Sequence, residues 1–111
     1  MIPEIKNIVM VRGDTLAFDM TLYDVDATVE SIYFSCKKYP TDNEYAFQKS
    51  LGNGITCVED AVYRVRVAPA DTANLPAGEY AYDLQLGLGA DIFTILCGRL
   101  ILKQDVTEET V

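Results

Sequence analysis

The residues of this chain that could do chemistry are informative first through a gap. There is no histidine, so the commonest general base, the commonest transition-metal ligand and the physiological pH switch are missing together. The three cysteines, Cys36, Cys57 and Cys97, are an odd number at wide spacings. They contain no closely spaced pair for zinc, and a cysteine nucleophile would lack its base. They read as buried thiols of a reducing compartment. Asp24, Asp26 and the Glu59-Asp60 pair offer oxygen ligands, but not at the offsets of a calcium loop, and read as solvated turn carboxylates. Carboxylate pairs for glycoside hydrolysis can be nominated freely with nothing to choose among them. No Gly-x-Ser-x-Gly elbow, phosphate loop or dinucleotide fingerprint occurs. The expectation is a protein that is not an enzyme and takes no cofactor and no metal.

Recognition chemistry remains. Seven of the eleven aromatic residues are tyrosines, and an exposed tyrosine can stack on a sugar or anchor a protein interface. Tyr33 falls opposite the apolar face of its strand, while Tyr39 and Tyr45 flank a loop, so the three are expected to form a patch. Arg64 and Arg66 give another strand a basic outer face within an acidic chain, turned to solvent or to an acidic neighbour strand. These five residues are the candidate interface. Arg12-Gly13-Asp14 is the tripeptide that integrins read, but between two strands it is ordinary turn chemistry. Leu75-Pro76-Ala77-Gly78 lacks the threonine of a sortase signal and reads as a loop corner.

The elements that must position these residues belong to one domain of 111 residues, half of them hydrophobic, enough for one core without a metal or disulfide staple. A net charge of −8 repels phosphate backbones and anionic lipid, so neither nucleic acid nor membrane is an expected partner. The apolar runs, such as Ile92-Phe93 and Ile95-Leu96-Cys97, are far too short to span a bilayer. The N-terminus lacks the basic and apolar regions of a signal peptide, which points to the cytoplasm.

Period-two alternation dominates the chain. Leu16, Phe18, Met20 and Leu22 share one face of a strand over Thr15 to Tyr23, and Asp24 to Ala27 reads as a turn. Ile32, Phe34 and Cys36 share a face of the next strand. Tyr39 to Asn43 is a loop. Tyr45 to Ser50 and Ile55 to Val58 flank Leu51-Gly52-Asn53-Gly54, a hairpin signal. Tyr63, Val65 and Val67 alternate with the two arginines. Pro69 to Leu75 admits one helical turn, capped by Asp71 or Thr72 and stopped by Pro76. Tyr80, Tyr82, Leu84 and Leu86 form a strand, Gly87 to Asp91 turns it, and a long strand follows to about Gln104, with Gly98 marking a bulge. With an opening strand over Ile5 to Val11, this predicts an all-β, antiparallel two-sheet β-sandwich of seven or eight strands, ending in a short frayed tail over 107–111. Asp71 followed by Gly78, Tyr80 and Tyr82 resembles the end of an immunoglobulin-type strand F, with Tyr82 where a cysteine would stand and Tyr80 as a corner tyrosine bonding upstream backbone. The sandwich is therefore expected to be immunoglobulin-like, with another sandwich or an open barrel as the alternative.

Arg12-Gly13-Asp14-Thr15-Leu16, Phe47 to Ile55, Asp71 to Leu75, Gly78 to Leu84 and Gly98-Arg99-Leu100, taken together, resemble the N-terminal domain of phage baseplate upper proteins and their small stand-alone prophage relatives. The resemblance runs from about Arg12 to Thr107. It implies a non-enzymatic structural module of a tail or baseplate, assembled in the bacterial cytoplasm and carried in the virion. Its partners would be other tail or baseplate proteins, or further copies of itself in a homo-oligomer. The segment that would follow the sandwich and reach a receptor-binding protein is not expected here. The alternative function is a carbohydrate-binding β-sandwich that uses the exposed tyrosines.

Overall fold

A computed structural model describes residues 3–22 and 29–107. Its strands are β1 (Glu4–Ile5), β2 (Ile8–Val11), β3 (Leu16–Thr21), β4 (Val29–Lys37), β5 (Phe47–Leu51), β6 (Gly54–Glu59), β7 (Val62–Val67), β8 (Gly78–Leu88) and β9 (Asp91–Lys103), with one helical turn, α1 (Pro69–Thr72). Asp24 to Ala27, read as a turn, lie outside the described residues.

The fold is all-β. Alternation decides which side chains meet: Ile32, Phe34 and Cys36 of β4, Val65 and Val67 of β7, and Tyr80, Tyr82, Leu84 and Leu86 of β8 are all buried, while the residues between them face outward. The nine strands join in one continuous sheet, β1-β9-β8-β4-β5-β6-β7-β3, with β2 also on β9. This sheet curls on itself. Phe18 of the terminal strand β3 packs edge-on against Phe34 of the central strand β4, ring centroids 5.8 Å apart. Phe34 also meets Phe47 at 6.0 Å and Tyr82 at 5.4 Å.

Several details depart from the sequence reading. The opening strand is two strands, both parallel to β9, which raises the count to nine among the described residues and makes the sheet mixed. The break falls at Lys6-Asn7, where backbone crosses Gly98 so closely that a Cβ there would strike the Lys6 carbonyl. Gly98 thus serves close approach. The bulge lies instead opposite Leu84 and Gln85, whose partners Leu96 and Thr94 leave Ile95 as the extra residue.

The Leu51 to Gly54 reversal is not an antiparallel hairpin. Gly52 and Gly54 have φ of 83° and 95° and coil the chain onward, so that Ser50 and Leu51 pair with Gly54 and Ile55 in parallel. β6 then finds its antiparallel partner in β7. Beyond Ile55 its residues Thr56 to Glu59 are exposed, and Cys57 is accordingly an exposed thiol rather than a buried one.

α1 has Pro at its start, a position where a missing N–H costs nothing. Asp71 does not cap it from the N-cap position. From the third helical position its carboxylate reaches back to accept the Ala68 N–H at 2.7 Å and pairs with Lys49 at 2.7 Å. Thr72 is not a cap either: it is buried, and its hydroxyl accepts the Gly13 N–H at 2.8 Å. Tyr80 donates its hydroxyl to the Pro76 carbonyl at 2.6 Å, the corner bond expected of an immunoglobulin-type strand F. Tyr82 donates to the Lys6 carbonyl, tying β8 to the β1–β2 crossing.

Candidate functional site

Two surfaces of the sheet carry features beyond what packing requires. The first is the outward face of β5, β4, β8 and β9. Register sets Gln48, Ser35, Asp83 and Cys97 side by side in one row, and Ser50, Tyr33, Gln85 and Thr94 in the next. Small groups, Ser35, Ala81 and Gly98, lie among taller Tyr33 and Tyr45, and a concavity of about 780 Å3 results. Its lining contains no Leu, Ile, Val, Phe or Met.

The polar groups of this concavity are partly organised already. Gln48 donates its side-chain amide to the Ser35 hydroxyl at 2.9 Å. The Lys37 ammonium lies 5.0 Å from the Tyr45 ring centroid, a cation–π contact that orders both side chains. Asp83 is half-buried between β4 and β9, and desolvation raises its pKa above the ordinary carboxylate value, with the positive charge of Lys37 pulling the other way.

The second surface is the free edge of β3. The Leu22 N–H donates to the Ala61 carbonyl at 2.8 Å, so the even-numbered residues of this antiparallel pair bond to β7. The amides and carbonyls of Ala17, Asp19 and Thr21 therefore point away from the sheet, and among the described residues β3 has no second neighbour. Beside this edge, facing β1 and β9, runs a groove of about 640 Å3 with Phe18, Met20, Leu86 and Leu96 in its lining.

The five candidate interface residues do not form one surface. Tyr33 and Tyr45, 41% and 50% exposed, line the concavity together. Tyr39 is 61% exposed but lies in the loop outside it, its N–H donating to Asp42 at 3.1 Å. Arg64 and Arg66 sit on the outer face of β7, opposite Asp19 and Ala17 of β3. Arg64 grips Asp19 through two bonds of 2.7 and 3.1 Å. Those hydrogen bonds, then the Arg64 charge, hold the Asp19 pKa below its ordinary value. For Arg64 the acidic neighbour strand is thus β3, whereas Arg66 lies opposite Ala17. Arg12 of the Arg-Gly-Asp turn is likewise engaged, pairing with Asp105 at 2.8 Å.

Asp83, Gln85, Gln48 and Ser35 escaped the sequence reading. Their only signal was the polar phase of two alternating strands, which names a face but not the strands beside it.

No family model matches the chain, and no curated protein matches it. Among solved structures it is similar to a marsupial T cell receptor, with a TM-score of 0.55 and 10% identity over 94% of this chain, which spans about half of that one (52%). The extracellular domain of the voltage-gated sodium channel β4 subunit aligns with a TM-score of 0.48 and 11% identity, covering 96% of this chain and 97% of that one. At such identities the likeness concerns fold alone: an all-β chain with immunoglobulin-like structural neighbours.

Proposed function

We propose that this protein is a non-catalytic assembly module, a structural part of a phage or prophage tail or baseplate that acts through contacts with other virion proteins. It would be made in the bacterial cytoplasm and then carried in the particle. We read the one continuous sheet beneath it as an immunoglobulin-like two-sheet sandwich, its two halves joined at the Gly52–Gly54 corner. The corner bond of Tyr80 and the packing of Phe18 across to Phe34 support that description.

The observation that carries protein binding is the β3 edge, unpaired among the described residues, above an apolar groove. A strand added there would take up the backbone groups of Ala17, Asp19 and Thr21 and place alternate side chains over Phe18 and Met20. The phage assignment is supported by the residue cassette from Arg12 to Leu100.

Ala17→Pro tests the edge. It removes an N–H that points away from β7, a place where an edge strand tolerates proline. Particles from an induced lysogen encoding the native chain should contain it by mass spectrometry, and the variant should fold yet be depleted from them. Particles free of the native protein would overturn the phage assignment. Equal incorporation of the variant would overturn the role of β3.

A further inference from the structure

The concavity on the outer face of β4 and β8 has a chemistry of its own, independent of the β3 edge. We propose that it is a binding site for a neutral oligosaccharide, held between Tyr33 and Tyr45 over a floor of Ser35, Gln48, Asp83 and Gln85.

The ligand class follows from the lining. A protein interface is anchored by aromatic, Met or Arg side chains packed in a desolvated, charge-poor centre with a polar rim. This concavity has the opposite plan: its floor is polar, its tallest rim groups are aromatic, and it holds no large aliphatic side chain. Strand addition is excluded here as well, because β4 and β8 are paired on both sides. Phosphate and other polyanions are disfavoured by a chain of net charge −8 whose one ammonium in the lining, Lys37, shares the site with the Asp83 carboxylate.

A polyhydroxylated ring suits every group present. Its hydroxyls both donate and accept, matching the side-chain amides of Gln48 and Gln85, the Ser35 hydroxyl and the acceptor-only Asp83 carboxylate. Its C–H faces suit an amphipathic tyrosine ring. Preorganisation is built in: Gln48 is already bonded to Ser35, and Tyr45 is steadied by Lys37. Asp83, half-buried on a strand paired on both sides, can accept two ligand hydroxyls without a loop having to order first.

The test is an amide NMR titration of the whole chain with cello-, malto-, chito- and mannopentaose in turn, each to about 1 mM, where a weak site is populated. At least one sugar should shift amides of β4 and β8. Tyr33→Ala and Asp83→Asn should each weaken its binding roughly tenfold or more, while Arg64→Ala and Ala17→Pro, on the other half of the sheet, should leave it unchanged. The proposal is overturned if no sugar of the four shifts these strands, or if both Tyr33→Ala and Asp83→Asn bind as the native chain does. Because Ala17→Pro keeps the concavity intact, loss of assembly and loss of sugar binding are separable outcomes.

Discussion

Replacing Phe34 by alanine should cost more than any other single truncation in the chain. Its side chain is fully buried, and its ring lies 5.8, 6.0 and 5.4 Å from those of Phe18, Phe47 and Tyr82. Truncating a buried phenylalanine costs about 3–5 kcal/mol. Ring pairs are each worth about 0.5–1.5 kcal/mol beyond the buried area, so three of them place this site near the top of that range, about 5 kcal/mol. A domain of this size is stable by about 5–15 kcal/mol, so Phe34→Ala should be marginally folded. With a urea slope of about 1–3 kcal/mol per molar, the midpoint should fall by about 2–5 M. The chain has no tryptophan, so unfolding is best followed by circular dichroism and tyrosine emission. Ile92→Ala serves as reference: Ile92 is 64% exposed, and its loss should cost less than about 0.5 kcal/mol. If Phe34→Ala cost no more than about 1.5 kcal/mol, the aromatic cluster would not be what joins β3 to β4 across the core, and the argument would fail.

Ala61 holds a left-handed φ of 61° in the turn between β6 and β7, so Ala61→Gly should stabilise the protein by about 1 kcal/mol in the same urea experiment. Gly98→Ala should do the reverse, because its Cβ would meet the Lys6 backbone; faster hydrogen exchange of the Lys6 amide, which bonds to Cys97, would report β1 and β2 lifting from β9. Desolvation raises the Asp83 pKa in the folded state, so ionising it opposes folding. Asp83→Asn should therefore melt higher than the native chain at pH 7, and the difference should vanish once pH falls below the ordinary carboxylate value of 3.8. Burial pushes the Cys36 thiol up to about 12, whereas Cys57 is exposed; a thiol reagent at mildly alkaline pH should label Cys57 in the native state and Cys36 only after unfolding.

Local physics made much of this molecule legible in its residue order. Alternation on a strand leaves no choice about which side chains share a face, so the inward set of β3, β4, β7 and β8 could be read from residue types alone. Pro69 and Pro76 bracket the one helical turn, and Tyr80 lies two residues beyond Gly78, the spacing that sets its hydroxyl against upstream backbone. Other features depend on partners far along the chain. Gly98 is required by the arrival of Lys6, and the Gly52–Gly54 corner coils onward because β7, not β5, is the antiparallel neighbour of β6. Alternation names two faces but is silent about strand order, register and edges, which are decided by non-local pairing. For that reason Tyr33 could be picked out as exposed, while the row of Gln48, Ser35 and Asp83 beneath it, and the open edge of β3, exist only once the sheet has closed around Phe34.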